Sequence, residues 1–140
     1  MPFHSILVVD DDQDTCRVMR QVLEPCGYAV SSRASGREAI RLLNHETVDL
    51  VITDILMSDG DGFELIAALH KYFSNIRVIA ISGGGIVNAD DCLSIAQGFH
   101  ADGILKKPIT LGELVKAIKS VETGTSTSSH RWPGPNLTGG

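Results

Sequence analysis

Four short apolar runs in this chain each end in a residue able to bind or transfer a charged group. Ile6-Leu7-Val8-Val9 breaks into Asp10-Asp11-Asp12, Leu50-Val51-Ile52 leads to Asp54, Val78-Ile79-Ala80-Ile81 stops at Ser82, and Ile104-Leu105 runs into Lys106-Lys107. Carboxylates gathered from Asp10, Asp11 and Asp54 raise one another's pKa unless a cation neutralises them. Mg²⁺ is an economical answer: it takes oxygen ligands, commonly one or two carboxylates, and keeps waters that a phosphoryl oxygen can replace. The ammonium of Lys107 and the hydroxyl of Ser82 suit a dianionic phosphoryl group. An Asp carboxylate that attacks phosphorus forms an aspartyl phosphate, so Asp54 has the chemistry of a nucleophile. Read alone, Asp54 also suits a cap on the following helix, and the three consecutive acids also suit a solvated turn.

Residues this far apart meet only if the chain folds them together. After the first apolar run, Met19, Val22, Leu23 and Cys26 recur at helical spacing until Pro25 and Gly27 end the helix. Tyr28-Ala29-Val30 reads as a second short strand, and Ser35-Gly36 opens a helix carrying Ala39, Ile40, Leu42 and Leu43. The third strand runs to Asp54, and Phe63, Ile66 and Ala67 mark the next helix. Arg77 to Ile81 forms a fourth strand, Cys92, Ile95, Ala96 and Phe99 a further helical face, and Gly103 to Lys106 a fifth strand closed by Lys107-Pro108. Leu111, Leu114, Val115, Ile118 and Val121 mark a last helix. Five strands alternating with five helices predict an α/β fold: a doubly wound parallel sheet with helices on both faces. All strand carboxyl ends then share one edge, where ligand crevices form.

Composition bounds the function. The 140 residues suffice for one domain with a continuous core. A net charge of -5 and a pI near 5.4 give no basic footprint, which argues against direct nucleic-acid binding. No run approaches the length of a membrane span, and the N-terminus lacks a basic region followed by an apolar one. Cys16, Cys26 and Cys92 are odd in number and each lies in a helical pattern, so buried free thiols in a reducing cytoplasm are expected. From Thr123 the chain turns polar and rich in Gly, Pro, Ser and Thr. The expected organisation is a domain over 1-122 and a flexible C-terminal tail or linker over 123-140, with Trp132 in the tail.

Ile6-Leu7-Val8-Val9-Asp10-Asp11, Asp54 followed by Met57 and Asp61-Gly62, Ser82, and Lys107-Pro108 together resemble the receiver domain of two-component response regulators. The resemblance spans about Ser5 to Val121, and its parts occur in the family's order, each at a strand end. Chemotaxis receivers are among the type cases of the crevice rule itself. The resemblance implies a flavodoxin-like sheet of strand order 2-1-3-4-5. It implies Asp54 as phosphoacceptor, Asp11 as a direct Mg²⁺ ligand, Asp10 as a ligand directly or through water, and the backbone carbonyl of Leu56 as a further ligand. Lys107 would pair with the phosphoryl group, Ser82 would hydrogen-bond it, and the Lys107-Pro108 bond would be cis. The implied partners are a sensor histidine kinase or histidine phosphotransfer protein and an output protein the sequence does not identify. The domain would catalyse only its own phosphorylation and dephosphorylation.

Some residues depart from the family's pattern. Ser58 stands at the usual proline position, Gly60 at a usual apolar one and Ile104 at a usual aromatic one; Gly83-Gly84-Gly85 lie in a segment longer than usual. Signal transmission is therefore expected through loop and helix movement around Gly83 to Gly85. Asp12 either extends the acid cluster or caps the first helix, Asp59 and Asp61 serve the loop and the next helix start, and the five histidines show no ligand spacing. Two other classes stay open. A metal-dependent phosphohydrolase usually needs a second acid two residues after its nucleophile, where this chain has Leu56, and a phosphorylation-independent interaction module would need a broken site.

Overall fold

The computed structural model describes residues 3–55, 61–82 and 101–123, apart from the side chains of Asp61 and Phe63. Five parallel strands, β1 (Ser5–Val9), β2 (Ala29–Arg33), β3 (Leu50–Asp54), β4 (Arg77–Ser82) and β5 (Gly103–Lys106), form one sheet in the order β2-β1-β3-β4-β5. Among the described residues the helices are α1 (Gln13–Leu23), α2 (Gly36–Leu43), α3 (Asp61–Tyr72) and α4 (Leu111–Thr123), with a 3₁₀ turn at Glu24–Cys26. This is the expected doubly wound, flavodoxin-like sheet. The expected helix around Cys92 to Phe99, the Gly83 to Gly85 segment, Ser58, Asp59, Gly60 and the chain beyond Thr123 lie outside the described residues.

Strand position explains which runs were easy to read. The central strand β3 is buried along its whole length, and β1 is buried from Ile6 onward, so both need continuous apolar sequence. At the sheet edge, β2 buries only Val30 fully, and Ser31, Ser32 and Arg33 complete the strand although apolar patterning stops at Val30. Edge exposure tolerates those side chains while the backbone still pairs with β1.

The pleat divides the core in two. Leu7, Val9, Val51, Ile55, Val78 and Ala80 face α2 and α3; Ile6, Val8, Leu50, Ile52, Ile79 and Ile81 face α1 and α4. Helix starts are fixed by local caps. Asp12 Oδ1 accepts from the Asp14 N–H at 3.0 Å, the Ser35 hydroxyl accepts from the Glu38 N–H at 3.2 Å, and Thr110 and Glu113 exchange side-chain caps at 3.0 and 3.1 Å. Asp12 is therefore a cap. Gly27, at φ 103°, closes the 3₁₀ turn in the left-handed region that glycine enters without steric cost. Cys16 is buried as expected, whereas Cys26 is exposed, because Pro25 diverts the chain before α1 could turn that thiol inward. No helix among the described residues is long and apolar enough to cross a membrane.

Candidate functional site

β1, β3 and β4 end in Val9, Asp54 and Ser82, and parallel pairing delivers those ends to one edge. Burial there is unusual for polar groups: Asp10 is 2% exposed, Asp54 5% and Ser82 0%. Lys107 follows β5 directly, and its N–H donates to the Ser82 carbonyl at 2.9 Å, extending the β4–β5 pairing by one residue. The Lys107-Pro108 peptide is cis. From this point Lys107 Nζ lies 3.1 Å from Asp54 Oδ2 and 3.5 Å from Asp10 Oδ2. One ammonium is shared by two buried carboxylates.

The surroundings of Asp10 fix its direction. Its N–H donates to the Arg33 carbonyl at 3.1 Å, its Oδ1 accepts from the Asp12 N–H at 2.9 Å, and its carbonyl accepts from the Cys16 thiol at 3.4 Å. Burial raises the Asp10 pKa, and the neighbouring Asp54 charge adds to that; the Asp12 N–H and Lys107 pull the other way without cancelling it. Burial alone would lower the Lys107 pKa, but the hydrogen bond to Asp54 and the charge of Asp10 outweigh it and the net shift is upward. Burial and the nearby Asp10 charge raise the Cys16 thiol, so that sulfur is a packing group held protonated.

Of the residues singled out from sequence, Asp10, Asp54, Ser82 and Lys107 meet at this edge. Asp11 is exposed at the β1–α1 turn beside them. Leu56, whose carbonyl was expected to bind metal, lies outside the described residues. Lys106, His4, His45 and His70 are exposed. An apolar groove of about 530 Å³ between α1 and α4, lined by Val18, Met19, Val22, Ile109 and Leu111 and bordered by Lys107, was not foreseen. Its only sequence signal was apolar residues on both helices, which a buried core explains equally well.

The donor set suits a hard cation. Asp10 and Asp54 set two carboxylates against the Lys107 ammonium, and Asp11 adds a third acid on the adjoining turn. Among the described residues no group of three or more His, Cys, Asp or Glu side chains is arranged to hold a metal ion by itself. Mg²⁺ does not require one, since it holds on to several waters.

The model of the response regulator receiver domain matches residues 6–119. The chain belongs to the response regulator receiver family. This receiver is 34% identical over 132 residues to the transcriptional regulatory protein GlrR of Escherichia coli K12, covering 94% of the chain and 29% of GlrR. It is 32% identical over 135 residues to the transcriptional regulatory protein PrrA of Mycobacterium tuberculosis H37Rv, covering 93% of the chain and 57% of PrrA. The chain thus spans under two thirds of each of these relatives. Among solved structures, a CheY-like receiver domain protein of Methanospirillum hungatei JF-1 superposes with a TM-score of 0.78 at 27% identity, covering 86% of this receiver and 94% of that chain. Receivers of this family bind Mg²⁺ at the acidic pocket as a rule.

Proposed function

We propose that Asp54 accepts a phosphoryl group from the phosphohistidine of a sensor histidine kinase or histidine phosphotransfer protein. The observation that carries this reading is the Lys107 ammonium within reach of both Asp54 and Asp10. An Asp54 carboxylate oxygen attacks phosphorus, and the bond from phosphorus to the imidazole nitrogen breaks with its electron pair returning to the ring. Lys107 stays on the developing phosphoryl charge, Ser82 donates to a phosphoryl oxygen, and the burial of Asp54 and Ser82 limits the access of competing water. Asp10, Asp11, Asp54 and the Leu56 carbonyl would hold Mg²⁺, which would supply charge neutralisation at the transferring oxygens. The α1–α4 groove beside Lys107 offers the donor protein an apolar seat.

In this reading the chain is a cytoplasmic switch that catalyses only its own phosphorylation and dephosphorylation. Residues 1-122 form the receiver and 123-140 a tail or linker toward an output protein. Acetyl phosphate with Mg²⁺ tests the reading: the wild type gains one phosphoryl mass that maps to Asp54, and Asp54→Ala gains none. Labelling of Asp54→Ala at the wild-type rate would sink it. Multiple turnover of an external phosphomonoester would move the assignment to a phosphohydrolase.

A further inference from the structure

Thr53 is a fully buried hydroxyl on the wrong face for the site. Alternation along β3 directs Asp54 toward α1 and α4 but Thr53 toward α2 and α3, where its strand neighbours Val9 and Ala80 belong to an apolar cluster. A buried hydroxyl without a partner is costly, and Thr53 Oγ1 is bonded to the carbonyl of Asp54 at 3.1 Å. That peptide group meets a second constraint from α3. Gly62, in the first turn, is buried, and a Cβ added there would sit 2.5 Å from the Asp54 carbonyl oxygen and 2.6 Å from the Ile55 carbonyl carbon. Such an approach forces backbone to move, since the opposing atoms belong to main chain and not to a flexible side chain.

We infer that Thr53 and Gly62 are positioning residues that clamp the peptide following Asp54 from the far side of the sheet and so aim its carboxylate at Lys107. The inference rests on the phosphoacceptor reading and adds to that site a support from the opposite face of the sheet. The carbonyl carbon and Cβ of Asp54 are bonded to one Cα, so displacing the carbonyl carbon tilts that Cα and carries the carboxylate with it. Misplacement of a reacting atom by about 1 Å costs on the order of 100-fold in rate. Loss of the hydroxyl alone frees the peptide less than a steric push does.

The test compares Thr53→Val, Thr53→Ser and Gly62→Ala by phosphorylation rate against acetyl phosphate concentration at fixed Mg²⁺, with urea unfolding of each variant. Thr53→Val is expected to lower the maximal rate ~10-fold with an unchanged half-saturating concentration, Thr53→Ser to stay within about two-fold of wild type, and Gly62→Ala to lose ~100-fold. Equal rates for Thr53→Val and wild type, or equal impairment of the Val and Ser variants, would overturn the clamp. So would a rate loss in Thr53→Val accounted for by its unfolded fraction. If Gly62→Ala does not fold, the Val and Ser pair still decides. Wild type that fails to label at Asp54 overturns the functional reading and the clamp together; wild type that labels while Thr53→Val labels equally fast overturns the clamp alone.

Discussion

At the amino edge of the sheet Asp49 accepts from the N–H groups of His4 and Ser5 at 2.7 and 3.1 Å, and Asp102 accepts from the Val78 N–H at 2.8 Å while meeting Arg77 at 3.3 Å. Glu122 does the same at the end of α4, accepting from the Phe3 N–H at 2.8 Å and the Tyr28 hydroxyl at 3.1 Å. At the carboxyl edge Asp10 and Asp54 instead share one side-chain ammonium. Strand starts present N–H donors, so an acid there is a staple between segments. Strand ends present carbonyls, and there two buried acids lie against one ammonium, with Asp10 also accepting from the Asp12 N–H. The same residue type therefore staples segments at one edge and concentrates buried charge at the other.

The sharpest way to break this contrast is Lys107→Ala. It leaves two buried carboxylates without their ammonium. Breaking a fully buried pair costs about 3–5 kcal/mol. Lys107 is partly exposed and screened, so a loss of about 2 kcal/mol is expected at pH 7, shrinking toward zero once the carboxylates protonate. Urea unfolding at pH 7 and below pH 4 checks both halves.

Asp10→Asn has the opposite sign. The folded pKa of Asp10 is raised above its ordinary 3.8, so folding favours its neutral form. The stability this gives is full below the unfolded pKa and is lost as pH rises through the folded one. An amide that still accepts the Asp12 N–H is expected to raise the urea midpoint at neutral pH, with the gain vanishing below about pH 4. A fall at pH 7 would show that Asp10 is a staple like Asp49.

At the amino edge, Asp49→Ala and Asp102→Ala are each expected to cost about 1 kcal/mol, the scale of a partly exposed charge-assisted hydrogen bond. Neither should change the phosphorylation rate of the folded protein. The smallest effect belongs to Tyr28→Phe, about 0.5 kcal/mol. Burial and Glu122 push the Tyr28 phenol up to about 12. Its contribution is therefore complete below the ordinary pKa of 10 and is lost as pH rises toward 12, a window that phenolate absorbance resolves.

Much of the site was legible because the chemistry sits where apolar runs stop. Asp10, Asp54 and Ser82 each follow β-branched stretches that only a buried strand explains, and alternation with helices left one edge for them to share. Other features escaped for physical reasons. The latter half of β2 is polar because an edge strand needs backbone pairing more than burial. The exposure of Cys26, and the choice between the two readings of Asp12 in favour of the cap, depend on where one helical turn ends. The clamp on Asp54 was illegible as a clamp: Thr53 is by type an ordinary β-branched strand residue, and Gly62 entered only within the Asp61-Gly62 pair that carries the resemblance.

The sequence by itself determined the sheet class, the family and the identity of the groups that can handle a phosphoryl charge, because those follow from periodicity, strand ends and residue chemistry. Tertiary structure alone decided which acids share Lys107, that Asp10 is raised while the ammonium stays charged, and that backbone from α3 reaches the carbonyl of Asp54. These depend on distances of a few ångströms between segments far apart in the chain, set by sheet register and helix packing.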